Sequence, residues 1–336
     1  MRKLLPLGLV LSGILSVTAF LGSLYKAWRL YILAPVPGTT LIYHFSMYLP
    51  DNRNSFFEGI IRGAERAAEE LNSAVSIHSI DPAKNELETA AFTGVDGVIV
   101  CPYLDDALAR KQLEKLTQYQ MPVVLINHNL PNDKPWPFIG VNNFDMGRRI
   151  GMLSVLPGGE PVRLAVVYSD KAPGIYAERE LVEMGISAAL ENRLEGSILR
   201  YRTNLNPLDA ETLLVRLFRG GDGFANGSAA GSAETGFPGE GSLAINTIVF
   251  TDPADTIAAA QTLVDLNLVG RMRVIGFGAD PGVTESIQKG IISASVVINS
   301  DRIGYEAVRS LAAIRTTGYT STSIDTGIDI ITGGNL

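Results

Sequence analysis

The 336-residue chain has few of the residues that commonly carry catalysis or bind metals: one cysteine, three histidines and two tryptophans. The cysteine, Cys101, cannot form an internal disulfide, and it ends an apolar run (97–101) that favours a buried side chain. The sequence contains no Gly-x-Ser-x-Gly, no His-Glu-x-x-His and no Gly-x-x-x-x-Gly-Lys-Ser/Thr pattern. We therefore expect no enzyme activity, no metal site and no cofactor.

Charge is also scarce, because Asp, Glu, Lys and Arg make up 19% of the residues and the net charge is −7. This acidic balance argues against nucleic acid as a partner. Hydrophobic residues make up 46% of the chain, which is typical of a globular α/β protein with an added apolar segment. The length is sufficient for two domains of ordinary size.

The added apolar segment lies at the N-terminus, where Leu4–Tyr25 contains no charged residue. As a helix it would span about 33 Å, close to the thickness of a bilayer core. Trp28 and Tyr31 follow, as in an interfacial belt. We favour an uncleaved membrane anchor within residues 1–33; a cleaved signal, with a weak site at Val17–Ala19, is the alternative. Either one places the remaining chain outside the cytoplasm.

From residue 41 onward, short apolar runs alternate with helical patterns. The first series of predicted strands is Leu41–Ser46, Val75–Ile80, Gly97–Cys101, Pro122–Asn127 and Phe138–Val141. The second series is Leu164–Tyr168, Ile198–Tyr201, Ile248–Thr251, Val274–Phe277 and Ile291–Ile298. Alternation of this kind predicts parallel sheets with helices on both faces. Two halves with a sheet each are more plausible than one continuous sheet, and ligands bind such sheets beyond the carboxyl ends of the strands.

A glycine-, serine- and alanine-rich segment at 219–243 interrupts the second series. It has no hydrophobic period, so we expect a flexible surface insertion. A phosphate-binding loop is the alternative. It is disfavoured because no Gly-Lys-Ser/Thr follows and the strand-turn-helix spacing is wrong.

Four segments resemble type I periplasmic binding proteins of the ribose/galactose family, whose fold is shared with the ligand-binding cores of lactose-repressor-like regulators. The segments are Asn54–Phe57, Val95–Pro102, Met121–His128 and Val274–Phe277. The similarity extends from about Gly38 to Leu336. Together these segments are specific for the fold and much less so for the ligand.

The resemblance implies two doubly wound α/β lobes joined by three chain crossings, near 141–142, 298–299 and 325–327. Residues 39–141 plus 299–325 would form the N-terminal lobe. Residues 142–298 plus 326–336 would form the C-terminal lobe, with the insertion at 219–243. The lobes would close on a ligand by hinge motion at the crossings.

The resemblance also implies a ligand site in the cleft. Phe56 and Phe57 match aromatic residues that sandwich a sugar ring, although neighbouring helical side chains diverge by about 100° and one ring is expected in the core. Asn54 would donate to the ligand or cap its helix. Asn127 and His128 stand where the family usually has Asp-Arg, so they would offer neutral hydrogen bonds instead of charged ones.

The remaining implied cleft residues are Asn142 at the first crossing, Arg179, Asp252, Asp280 and Asn299. Asp252 matches a family Asn and could also cap the helix that begins at Pro253. Arg179 is off register from a family Arg, and a solvated helix charge is the alternative. Asp280 lies two positions after Gly278, where the family often has Asp, and the sequence alone leaves open whether Asp280 substitutes for it.

These observations predict a protein that binds a sugar or sugar-like solute outside the cytoplasm and delivers it to an ABC transporter. The alternative is a membrane-tethered sensor that reports ligand occupancy to a histidine kinase, since a tether raises the effective concentration near a membrane partner. A transcription regulator is disfavoured because the apolar tract stands where a helix-turn-helix would be needed.

Deletion of residues 220–241 is expected to leave the fold intact, because the segment carries no apolar face that a core would need. The shortened protein should unfold in one cooperative thermal transition close to that of the full chain, measured by circular dichroism. Loss of cooperative melting would show that this segment belongs to the core.

Overall fold

The structure is a computed structural model that describes residues 16–17, 19–26, 42–50, 54–80, 86–102, 106–130, 135–170, 175, 178–203, 209–219 and 245–336. It divides into two units, residues 1–41 and 42–336. In the first unit, residues 16–17 and 19–26 are helical. Residues 1–15, 18 and 27–41, which include most of the expected anchor at 1–33, lie outside the described residues. Among those that are described, no helix combines the length and the apolar character needed to cross a membrane. The insertion lies outside the described residues beyond Arg219.

The second unit alternates strands and helices. The strands are β1 (His44–Pro50), β2 (Ala74–Ile80), β3 (Gly97–Val100), β4 (Val123–Ile126), β5 (Phe138–Gly140), β6 (Leu164–Ser169), β7 (Leu199–Thr203), β8 (Thr247–Phe250), β9 (Arg273–Phe277), β10 (Ala294–Ile298), β11 (Ser323–Asp325) and β12 (Ile328–Thr332). The helices are α1 (Ser55–Glu70), α2 (Glu86–Thr89), α3 (Asp106–Gln118), α4 (Asn143–Ser154), α5 (Arg179–Leu190), α6 (Asp209–Arg219), α7 (Pro253–Asp265), α8 (Pro281–Gln288) and α9 (Ser300–Thr317).

The strands form two six-stranded sheets, in the orders β2-β1-β3-β4-β5-β11 and β7-β6-β8-β9-β10-β12. Every neighbouring pair is parallel except β10 and β12, which are antiparallel. The two-sheet α/β architecture expected from the sequence is therefore confirmed. Both sheets reverse their winding direction after the first two strands, and in such sheets ligands bind at the reversal point.

We call the first sheet with α1, α2, α3 and α9 the first lobe, and the second sheet with α4 to α8 the second lobe. The chain passes between lobes after β5, after β10 and between β11 and β12. The third passage is hydrogen-bonded to the first: the Thr326 backbone N–H and hydroxyl both donate to the Gly140 carbonyl, at 2.8 and 3.0 Å. The Asn142 N–H donates to Asp325 Oδ1 at 3.2 Å. The first and third crossings are therefore joined, and we call the three crossings together the hinge.

The central strands are buried on both faces, which explains their continuous apolar runs. All of β3, β4, β6 and β8 is buried. The strand predicted to end at Ser46 instead continues through Met47–Pro50. Met47 and Leu49 are 0% exposed and belong to the hydrophobic core, so the strand stays buried to its end.

Each lobe contains one helix pair that packs backbone against backbone at glycine. In the first lobe, a Cβ on Gly304 of α9 would lie 1.8 Å from the Ile60 carbonyl oxygen of α1. In the second lobe, a Cβ on Gly147 of α4 would lie 2.0 Å from the Val182 carbonyl oxygen of α5. No larger residue fits at these positions without separating the helices.

Gly304→Ala is expected to destabilise the protein by about 2 kcal/mol, because the added methyl forces α1 and α9 apart in a close-packed lobe. Urea unfolding measures the change in the free energy of unfolding. Gly333→Ala is the matched control: a Cβ there meets no atom within 4 Å, so its stability should be unchanged. Equal stability of the two variants would contradict the close packing of this helix pair.

Candidate functional site

A cavity of about 330 Å³ lies between the lobes. The first lobe contributes residues 54–57, 127 and 300; the second lobe contributes 175, 251–253 and 277–281; residues 297–298 line it at the second crossing. The volume falls within the roughly 300–1,000 Å³ of small-molecule sites. The cavity is thus formed where the carboxyl ends of strands from both sheets approach each other.

The start of α1 supplies the first wall. The Asn54 side-chain oxygen accepts a hydrogen bond from the Phe57 N–H at 3.4 Å and so caps the helix. Phe57 is 2% exposed and belongs to the hydrophobic core, whereas Phe56 is partly buried, and both line the cavity. Their rings lie edge to face with centroids 5.2 Å apart. Phe56 therefore presents the more accessible aromatic surface.

Asn127 follows β4 with a φ of 63°. This left-handed conformation is uncommon for residues other than glycine, and Asn is among those that tolerate it best. The side chain lines the cavity, and its Nδ2 lies 3.9 Å from Cys101 Sγ. Burial raises the pKa of the Cys101 thiol to about 12, so it stays protonated at neutral pH. The thiol is thus an inert part of the wall behind Asn127.

Asp252 follows β8 and caps the helix that begins at Pro253, as the sequence allowed. It is 2% exposed, and its Oδ1 accepts hydrogen bonds from the N–H groups of Ala254 and Asp255 at 2.9 and 3.1 Å. Its neighbour Thr251 accepts from the Ser169 N–H at 3.1 Å, which fixes the ends of β8 and β6 together. Thr251 and Asp252 are therefore held in place by backbone hydrogen bonds at the end of β8.

Asp280 also lines the cavity, at the start of α8. Its side chain makes no capping hydrogen bond; its Oδ2 instead accepts from the Ser55 hydroxyl of the first lobe at 3.3 Å. Gly278, with a φ of 84°, has no room for a side chain, since a Cβ would lie 2.6 Å from Pro253 Cγ. In the described lining, the charged side chains are the carboxylates Asp252 and Asp280.

Four predicted site residues do not line the cavity. His128 is 5% exposed, and its Nε2 lies 3.0 Å from Asp106 Oδ1. Asn142 and Asn299 cap α4 and α9, accepting from the N–H groups three residues on at 3.1 and 3.0 Å. Arg179 is the first residue of α5. These positions adjoin the cleft or the hinge without lining the cavity.

Sequence reasoning missed much of the wall. The additional lining residues are Ser55, Ile175, Thr251, Pro253, Phe277, Gly278, Ala279, Pro281, Val297, Ile298 and Ser300. Most are immediate sequence neighbours of predicted site residues at strand ends, so extending each predicted position by one or two residues would have found them. Ile175 carries no such signal. Across the described residues, no cluster of three or more His, Cys, Asp or Glu side chains is placed to hold a metal.

Comparison with known proteins identifies the family. The family model described as periplasmic binding protein domain matches residues 45–318. The chain belongs to this periplasmic binding protein family. The family resemblance found from the four sequence segments is thus confirmed. The comparison with curated proteins gives no match.

Several solved structures share the fold. GanP, a glucose-galactose binding protein from Geobacillus stearothermophilus, is 20% identical, with a TM-score of 0.70 over 88% of this chain and 98% of GanP. The Caulobacter myo-inositol binding protein bound to myo-inositol is 20% identical, with a TM-score of 0.68 over 89% and 96%. The XylFII-LytSN complex gives 20% identity and a TM-score of 0.67 over 88% and 99%.

In this periplasmic binding protein, Asp252→Ala is expected to lower the free energy of unfolding by about 1 kcal/mol, because the first two N–H groups of α7 lose their acceptor. Thermal melting in the absence of ligand measures this change. Asp252→Ser, which restores a capping oxygen, should recover most of the loss. A melting temperature unaffected by Asp252→Ala would show that the two hydrogen bonds contribute nothing.

Proposed function

We propose that this protein binds a small, polar, uncharged solute, a sugar or sugar-like molecule, in the cleft between its lobes and delivers it to an ABC transporter. The observation that carries the proposal is the lining of the cavity. A partly buried aromatic ring, Phe56, stands beside hydrogen-bonding groups contributed by both lobes. An aromatic face suits the C–H face of a sugar ring, and the amides and carboxylates suit its hydroxyls.

We assign direct ligand contacts to Asn54, Phe56, Phe57, Asn127, Asp252 and Asp280. The other four predicted residues are assigned supporting roles. His128 fixes the turn after Asn127, Asn142 and Asn299 fix helix starts at the hinge, and Arg179 starts α5. The related folds support the ligand class, since one is a glucose-galactose binding protein and another holds myo-inositol.

The family implies an extracytoplasmic location, and the uncharged segment at 4–25 supports export through an anchor or a cleaved signal. N-terminal sequencing of the protein from the membrane fraction distinguishes the two. The sensor role is the alternative function. The XylFII-LytSN complex gives it a precedent, because a protein of this fold is there bound to a second protein, but no contact among the described residues favours it.

A thermal-shift screen of the full chain against sugars, polyols, nucleosides and amino acids tests the proposal. A ligand that binds only the native state stabilises it by about 2.7 kcal/mol at one hundred times its dissociation constant. We expect a neutral sugar or polyol to raise the melting temperature most. Sugar acids such as glucuronate should bind more weakly than glucose, because Asp252 and Asp280 repel a third carboxylate. A response confined to amino acids or nucleosides would refute the proposal.

Phe56→Ala is expected to weaken binding of the best sugar in that screen about tenfold, because one stacking face is lost. Phe57→Ala should instead reduce the free energy of unfolding by roughly 3–5 kcal/mol, since this ring is part of the core. Calorimetric titration and urea unfolding separate the two effects. Tyr319→Ala, which removes a 72% exposed ring outside the cavity lining, is the control and should change neither quantity. Unchanged affinity in Phe56→Ala would contradict the stacking role.

A further inference from the structure

Two Asp-Pro pairs begin neighbouring helices of the second lobe, and their aspartates behave differently. Asp252-Pro253 starts α7 after β8, and Asp280-Pro281 starts α8 after the adjacent strand β9. The Asp252 carboxylate accepts two backbone N–H hydrogen bonds and caps its helix, whereas the Asp280 carboxylate accepts none from its helix. Both sequences offer the same capping residue and the same proline at the first helical position, so local chemistry does not explain the difference.

The Asp280 carboxylate is turned away from its own helix and toward the first lobe. Its Oδ2 accepts the Ser55 hydroxyl at 3.3 Å, and Ser55 is the first residue of α1. The same oxygen would lie 3.1 Å from a Cβ at position 278, so the carboxylate lies beside the space above Gly278 at the end of β9. It is therefore placed in the cleft between the lobes.

This orientation gives up a helix cap and makes a contact with the other lobe instead. An aspartate at a helix start that does not cap the helix gives up a stabilising interaction, and local rules are commonly broken at functional positions. The partner that replaces the cap lies 225 residues away in sequence and in the other lobe. The hydrogen bond can form only when α1 and the start of α8 are brought together, which is the motion that closes the cleft.

We propose that Ser55 and Asp280 form a latch across the cleft, which stabilises the closed arrangement of the lobes and positions the Asp280 carboxylate at the ligand site. Ser55 is a positioning residue that acts through Asp280. A hydrogen bond that forms in only one of two conformations stabilises that conformation by the free energy of the bond. The latch therefore raises the population of the closed conformation. This inference concerns lobe closure and holds whichever solute occupies the cleft.

Distance measurement between spin labels tests the latch without any ligand. Glu69 of α1 and Gln288 of α8 are exposed, one in each lobe, and can be replaced by cysteine for labelling. Cys101 is 1% exposed and its thiol is protonated, so it stays unlabelled in the folded full-length chain. Double electron-electron resonance then reports the populations of short and long distances between the lobes.

Ser55→Ala and Asp280→Ala should each reduce the ratio of short to long distances by roughly twofold to tenfold, the range expected for one hydrogen bond. The double variant should be no worse than either single variant, because the two residues share one interaction. Ser55→Thr keeps the hydroxyl and should restore the distribution of the unaltered protein. Unchanged distributions in the single variants, additive effects in the double variant, or failure of Ser55→Thr to restore the distribution would overturn the latch.

Thermal melting of the same chain separates the latch from a merely structural role. Asp280→Ala should melt at the same temperature as Ser55→Ala, because both variants lose the same hydrogen bond between the lobes. A lower melting temperature for Asp280→Ala than for Ser55→Ala would show that Asp280 also supports its own helix and would overturn the proposal. Failure of every sugar to bind, with the distance results as expected, would contradict the proposed function and leave the latch standing.

Discussion

The hinge is the constraint on which the two-lobe arrangement depends. Three separate chain passages join the lobes, and the third is tied to the first through Thr326 and the Gly140 carbonyl. Ile298 and Ile328 are paired in the antiparallel ladder of β10 and β12, which holds the second passage beside the third. The three passages are thus held side by side, an arrangement found where two lobes move about a hinge.

The residue types that line the cleft are set by its position at the ends of buried parallel strands. Such strands are apolar throughout, so their last residues give apolar walls, as Phe277 and Ile298 do. The next residue in each case must turn the chain or start a helix, and polar residues that cap or turn are favoured there. A mixed lining of aromatic, aliphatic and hydrogen-bonding groups follows from the fold itself. The ligand is then selected by which of these polar groups remain available.

Sequence patterns were sufficient for the order of elements and for the two sheets, because strand and helix periods are local properties. They predicted that one of the Phe56 and Phe57 rings lies in the core but not which one, since a helix separates neighbouring side chains without fixing which faces inward. The Asp-Pro pairs show the limit most clearly. Asp252 and Asp280 have the same local sequence signal, and only the tertiary position of Ser55 distinguishes a cap from a contact between lobes. The end of β1 was misplaced for a similar reason, because burial of Met47 and Leu49 is decided by the rest of the lobe.

The glycine contacts between paired helices have a mechanical consequence. Where the α9 backbone touches that of α1 at Gly304, and α4 touches α5 at Gly147, there is no layer of side chains that could slide or change rotamer. Such seams resist shear, so each half of the molecule should move as a stiff block. Nearly all flexibility is then concentrated in a few peptide units between the blocks, among them Gly327 with its φ of 72°. A solute that enters the gap would therefore meet two preformed surfaces. Binding would then cost little conformational entropy within each lobe.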